Sequence, residues 1–115
     1  MRLDVIEIKV NNWEAMLKWY SEVLGLTIIG KEDDDRFALL STGGTMIGLI
    51  EERKIVKNPQ HITPYWKVDN LEREVTRFLQ EGVSFPKGIE QRHWGKQAVF
   101  NDPEGNVHYL CQEEG

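Results

Sequence analysis

The chain has 115 residues, enough for one domain with a modest core, and its 40% apolar and 29% charged residues are ordinary for a globular protein. A net charge of −5 argues against general nucleic-acid binding, and the only cysteine, Cys111, excludes an internal disulfide or a cysteine-built zinc site. Asp4 and Glu7 interrupt any signal-type apolar run after Met1, and no apolar stretch approaches a membrane span, so a cytoplasmic protein with neither nucleic-acid nor membrane partners is expected.

Leu3–Val10 alternates, with Ile6, Ile8 and Val10 on one face and Val5, Glu7 and Lys9 on the other, which predicts a strand with one face in a core. Asn11 or Asn12 then caps a helix, and Glu14 stands three residues after Asn11, as a capping box requires. Trp13, Met16, Leu17, Tyr20, Val23 and Leu24 follow helical spacing until Gly25 ends the run. Core or interface packing is the ordinary role for Trp13, Trp19 and Tyr20. Leu26–Gly30 reads as a strand. Glu32-Asp33-Asp34-Asp35 reads as a solvated hairpin tip, because it lacks the spaced ligands and glycine of a calcium loop. Two strands follow, Phe37–Leu40 and Thr45–Glu51, and then a linker over Glu52–Gln60.

His61–Val68 predicts a new opening strand, with Pro64, Trp66 and Val68 on one face and His61, Thr63, Tyr65 and Lys67 on the other. Asp69 is placed to cap the next helix with Glu72 answering it, and Leu71, Val75, Phe78 and Leu79 form its buried stripe up to Gly82. Val83–Phe85 reads as a short strand and Lys87–Gly95 as a loop carrying His93-Trp94-Gly95. Phe100–Leu110 is a hairpin around Asp102-Pro103-Glu104-Gly105: Asp bonds its own downstream backbone, Pro pre-sets φ, and Gly accepts positive φ.

That last hairpin has been made once before. Laid over it, Ala38–Leu49 puts Gly44 on Gly105, Leu39 on Phe100, Met46 on Val107 and Leu49 on Leu110. Upstream, Lys9–Glu14 falls on Lys67–Glu72, and Gly25-Leu26 falls on Gly82-Val83 after one deletion. The chain is therefore read as one domain, 1–115, built from an internal repeat of a βαβββ unit over 1–57 and 58–115. The fold class is α+β: two tandem units forming a curved mixed-sheet cleft, with helices on the outer face.

These residues resemble the vicinal oxygen chelate superfamily of glyoxalase I, the bleomycin resistance proteins and the extradiol dioxygenases. The resemblance rests on Trp19-Tyr20-x-x-Val23-Leu24-Gly25-Leu26, Val68-Asp69-Asn70-Leu71 and Asp102-Pro103-Glu104-Gly105-Asn106. Trp94-Gly95 is similar to a motif of the bleomycin-resistance branch. Metal-using members hold a divalent ion with side chains from the first and last strands of each unit, and the resemblance carries those positions to Val5, Gly48, Thr63 and Tyr109. None of them is His, Glu, Asp or Gln, so no metal and no cofactor is expected. A relocated site using Glu7 and His61 is the remaining metal-binding alternative. His108 faces the helix layer by alternation, and no serine or Cys111 arrangement suggests a nucleophilic triad.

The cleft face would present Glu7, Lys9, Met46, Ile50, Tyr65, Lys67, Val107 and Tyr109, with Thr63 at its centre and Trp94 on a bordering loop. Of these, Glu7, Lys9, Met46, Thr63, Tyr65, Lys67, Trp94 and Tyr109 are the candidate ligand-binding residues. The resemblance implies a homodimer in which Val5 and Gly48 come from one chain and Thr63 and Tyr109 from the other. Two functional classes follow. One is a metal-free binding protein that sequesters a planar organic ligand in a dimer-interface cleft. The other is a glyoxalase-like lyase, isomerase or dioxygenase, either with a relocated metal or metal-independent with Glu7 as general base.

Overall fold

A computed structural model describes residues 3–52 and 62–114. The chain falls into two compact units, Met1–Asn58 and Pro59–Gly115. In the first, β1 (Val5–Val10) leads into α1 (Trp13–Glu22), followed by β2 (Thr27–Glu32), β3 (Phe37–Ser41) and β4 (Met46–Glu51). In the second, β5 (Tyr65–Lys67) leads into α2 (Leu71–Gln80), followed by β6 (Ile89–Arg92), β7 (Gly95–Asn101) and β8 (Val107–Glu113). The sheet orders are β1-β4-β3-β2 and β5-β8-β7-β6, the same order twice. Each sheet is mixed, with the first and last strands of its unit parallel and the other neighbours antiparallel. The fold is α+β, and the repeated βαβββ unit is real.

Strand register gives the repeat its residue-by-residue alignment. Glu7 pairs with Gly48 as Tyr65 pairs with Tyr109, and Lys9 pairs with Ile50 as Lys67 pairs with Cys111. Asn12 and Asn70 each cap their helix, with side-chain oxygens accepting from the Ala15 and Arg73 N–H groups. After each helix the chain folds back on the last turn, Leu26 N–H bonding Tyr20 C=O six residues earlier and Val83 N–H bonding Phe78 C=O five residues earlier. One pairing differs from the sequence expectation. Leu40 stands opposite Ile47 as Phe100 stands opposite His108, so Leu40, not Leu39, is the equivalent of Phe100. The hairpins differ by one residue between these strands, which a gap-free overlay hides.

Three local expectations also change. Asn70 caps α2 in place of Asp69, and Glu72 reaches not back to the cap but across to Lys96. In α1 the cap is Asn12, so the box position falls on Ala15 and Glu14 instead pairs with Arg36 at 2.5 Å. Val83–Phe85 is not a strand; Val83 and Phe85 serve the core through their side chains, Phe85 packing against Phe78 and Phe100. The strand lies further on, at Ile89–Arg92, within the stretch read as a loop.

Each core lies between one sheet face and its helix. In the first unit Val10, Ala38, Leu40, Ile47 and Leu49 meet Trp13, Met16, Leu17 and Tyr20. The Trp13 indole N–H donates to Leu49 C=O at 3.1 Å, so this ring is an internal strut and not a surface for a partner. Trp19 is half-buried and meets Tyr20 edge to face. In the second unit Ala98, Phe100, His108 and Leu110 meet Leu71, Val75 and Phe78. Asp33–Arg36 forms the acidic hairpin tip, with Arg36 at φ 51°. No helix among the described residues is long and apolar enough to cross a membrane.

Candidate functional site

The sheet face turned away from α2 is built by period-two alternation. With Trp66, His108 and Leu110 committed to the core, Tyr65, Lys67, Tyr109, Cys111 and Glu113 take the other side. There Tyr65, Lys67, Trp94, Gln97, Cys111 and Glu113 line a groove of about 460 Å³. Tyr65 and Tyr109 stack with centroids 4.6 Å apart and planes 6° apart, and Tyr65 is 60% exposed. Trp94 stands on the two-residue turn between β6 and β7, half-buried, a tighter mount than the loop the sequence suggested.

The floor of the groove is polar. Gln97 lies opposite Cys111 across β7 and β8, and both are buried. Gln97 Nε2–H donates to Glu90 Oε1 at 3.3 Å, and Arg92 Nη2–H donates to Glu90 Oε2 at 3.0 Å. The Gln97 bond is the main influence holding the Glu90 carboxyl below the usual carboxylate range; Arg92 adds to it and partial burial opposes it. Burial pushes the Cys111 thiol up, with Glu113 adding, so at neutral pH this sulfur is a thiol and not a nucleophile. At the rim Lys67 pairs with Glu113 at 3.2 Å, both well exposed.

Of the candidate ligand-binding residues, Tyr65, Lys67 and Trp94 line this groove and Tyr109 backs it. Thr63 is half-buried just ahead of β5 and outside its lining. Glu7, Lys9 and Met46 belong to the first unit. Glu7 and Lys9 are exposed on β1, and Met46 borders a separate groove of about 650 Å³ with Leu3, Ile29 and Thr45. His61 lies outside the described residues.

Sequence reasoning missed Gln97, Cys111 and Glu113 as groove residues. Counting on in twos from Tyr109 reaches Cys111 and Glu113, and pairing across the hairpin then reaches Gln97. In sequence Cys111 bears on disulfide, zinc and nucleophile chemistry, none of which marks it as a groove residue.

The positions used for a metal elsewhere in the resembling superfamily do not fit one here. Val5 Cγ1 lies 3.4 Å from where a Cβ on Gly48 would stand, so these two positions make an aliphatic patch without a donor. Tyr109 is engaged in its ring stack. Among the described residues no group of three or more His, Cys, Asp or Glu side chains is gathered to hold an ion. His108 is buried against Phe100, with Nδ1 taken by Trp66.

Comparison with known proteins agrees with this architecture. YraH of Bacillus subtilis (strain 168) is 26% identical over 121 residues, covering 93% of this chain and 94% of that one. The integron cassette protein HFX_CASS4, from the mobile metagenome of the Halifax Harbour sewage outfall, superposes with a TM-score of 0.82 at 25% identity, covering 96% and 97% of the two chains. TnmS3, an antibiotic binding protein from Streptomyces sp. CB03234, superposes with a TM-score of 0.81 at 22% identity, covering 99% and 97%. The model of one family matches residues 2–108, nearly the full length over which the repeat runs. The chain belongs to the Glyoxalase/Bleomycin resistance protein/Dioxygenase superfamily.

Proposed function

We propose that this protein binds a planar organic molecule and sequesters it without a metal, as a homodimer whose partner chain completes the cleft. The observation that carries the reading is the Tyr65–Tyr109 stack, with the Tyr65 ring exposed, beside a groove walled by Trp94. A parallel ring pair with one ring exposed offers a planar ligand a third place in the stack, worth about 0.5–1.5 kcal/mol per ring pair beyond burial. Aromatic side chains beside a small set of fixed polar groups, here Lys67, Gln97 and Glu113, suit a small-molecule site. TnmS3, an antibiotic binding protein, shares the fold. The glyoxalase-like alternative lacks a donor set at the positions the resemblance assigns to the metal, and no observation favours it.

Titration with a library of planar compounds, following tryptophan fluorescence, tests the reading. Saturable quenching is expected from some of them, weakened several-fold by Trp94→Ala. If no compound quenches, the reading falls.

A further inference from the structure

The duplication supplies an internal control for the groove floor. In each unit four side chains form one cross-strand row at equivalent register. The first unit has Glu32, Phe37, Ile50 and Lys9, and the second has Glu90, Gln97, Cys111 and Lys67. The flanks are the same, Glu at one end and Lys at the other. The centres are not: Phe and Ile in one row, Gln and Cys in the other. A buried carboxamide in place of an aromatic ring gives up apolar burial and must be hydrogen-bonded.

Gln97 is only half satisfied by the protein. The carboxylate of Glu90 can only accept, so the Gln97 group facing it must be the N–H₂, and Arg92 on the other Glu90 oxygen keeps that carboxylate in place. The amide cannot turn over. Its carbonyl oxygen is left with no hydrogen-bond partner among the described residues, in a side chain only 8% exposed that lines the groove. No buried side-chain nitrogen or oxygen among them lacks a partner, so this oxygen keeps contact with the groove's solvent.

We infer that Gln97 Oε1 is the recognition group of the groove, and that the site selects planar ligands presenting an in-plane N–H donor, such as lactams and N–H heteroaromatics. The inference rests on the planar-ligand reading above and names its ligand class. A ligand with an N–H edge replaces the water on Oε1. One with an acceptor or an alkyl group at that edge leaves the oxygen desolvated and unpaired, which discriminates more strongly than any apolar contact in the groove. Glu90 and Arg92 are positioning residues: they touch no ligand and act by fixing which end of the amide faces it.

The test uses the tricyclic lactam phenanthridinone and its N-methyl derivative, flat probes of nearly equal shape, titrated into the full chain. The lactam should bind about tenfold or more tighter than the N-methyl compound. Gln97→Leu should bind both about equally. Glu90→Gln lets either amide end face the groove and should shrink the discrimination while leaving the melting temperature near that of the unaltered protein. Should Gln97→Leu not fold, the unaltered protein and Glu90→Gln still decide. Equal binding of the two probes by the unaltered protein, or full discrimination kept by either variant, overturns the inference and leaves planar-ligand binding standing. Failure of both probes to bind overturns the inference, and the planar-ligand reading falls with it if no compound of the library quenches either.

Discussion

The Trp66 indole N–H donates to His108 Nδ1 at 2.9 Å, across β5 and β8, in a residue that is wholly buried. This bond fixes the neutral imidazole with its proton on Nε2, because a proton on Nδ1 would set donor against donor. Burial pushes the His108 pKa down to about 4, with Asp102 opposing.

Stability should therefore fall on mild acidification. Between the ordinary histidine value and about 4 the unfolded chain binds a proton that the folded chain refuses, so stability is lost as pH drops through that window and the slope flattens below it. The full effect is roughly 3 kcal/mol. Urea midpoints at several pH values between neutral and about 4 should show it. His108→Gln, which can still accept from Trp66, should remove the histidine share of the slope; an unchanged slope would show that other groups carry it.

Asp102 should be the most costly residue of the turn in the last hairpin. Its carboxylate, 3% exposed, accepts from the Glu104 and Asn106 N–H groups at 2.9 Å and from Asn106 Nδ2 at 2.7 Å. Asp102→Ala strands these donors and should cost about 2–4 kcal/mol by chemical denaturation. Thr42, which holds the equivalent hairpin through the Gly44 N–H and the Thr45 C=O, has fewer and weaker bonds. Thr42→Ala should cost about 1 kcal/mol.

Gly95 should accept no side chain. At φ 151° a Cβ there would stand 2.2 Å from the Gln112 carbonyl oxygen and 3.0 Å from Glu113 Cα, both backbone, so β7 would have to part from β8. Gly95→Ala should cost about 2 kcal/mol or more and blunt ligand binding, since Gln97 follows two residues later. Gly82→Ala, at φ 87° with open space around it, should cost about 1–2 kcal/mol through backbone conformation alone.

Tyr65 and Tyr109 should separate binding from folding. Tyr65→Ala removes an exposed ring and should lower stability by less than about 1 kcal/mol while weakening a planar ligand several-fold. Tyr109 is half-buried, so Tyr109→Ala should cost less than the 3–5 kcal/mol or so of a core aromatic. If either variant loses that much, the rings are core and not a ligand platform.

The homodimer should appear as twice the chain mass in light scattering coupled to size exclusion, and a concentration-independent monomer would remove the shared cleft from the proposal.

The repeat, the strand alternation and the last hairpin were legible because each is local: periodicity, a cap, an Asp-Pro-x-Gly turn. What stayed hidden was set across strands. The equivalence of Leu40 and Phe100 depends on a one-residue difference that only pairing reveals. Asn70 and Asp69 are both capable caps, and the helix start decided between them. Tyr65, Lys67 and Trp94 were found because alternation or a motif marks them. Gln97 was not, since in sequence it is one polar residue before an apolar run, and its meaning comes from Glu90 and Cys111 on either side.

β2, one of the two edge strands of the first sheet, is exposed along most of its length and carries Ile28 and Ile29 at the surface. Such an edge invites another chain to add a strand and so begin a fibre. The break in its pairing between Ile28 and Gly30 spoils the regular spacing of N–H and C=O groups that an incoming strand must match, and Lys31 and Glu32 place charges at its end. Deleting Ile29 would remove the extra residue from this pairing and leave a regular edge, which should make the chain more prone to edge-to-edge association.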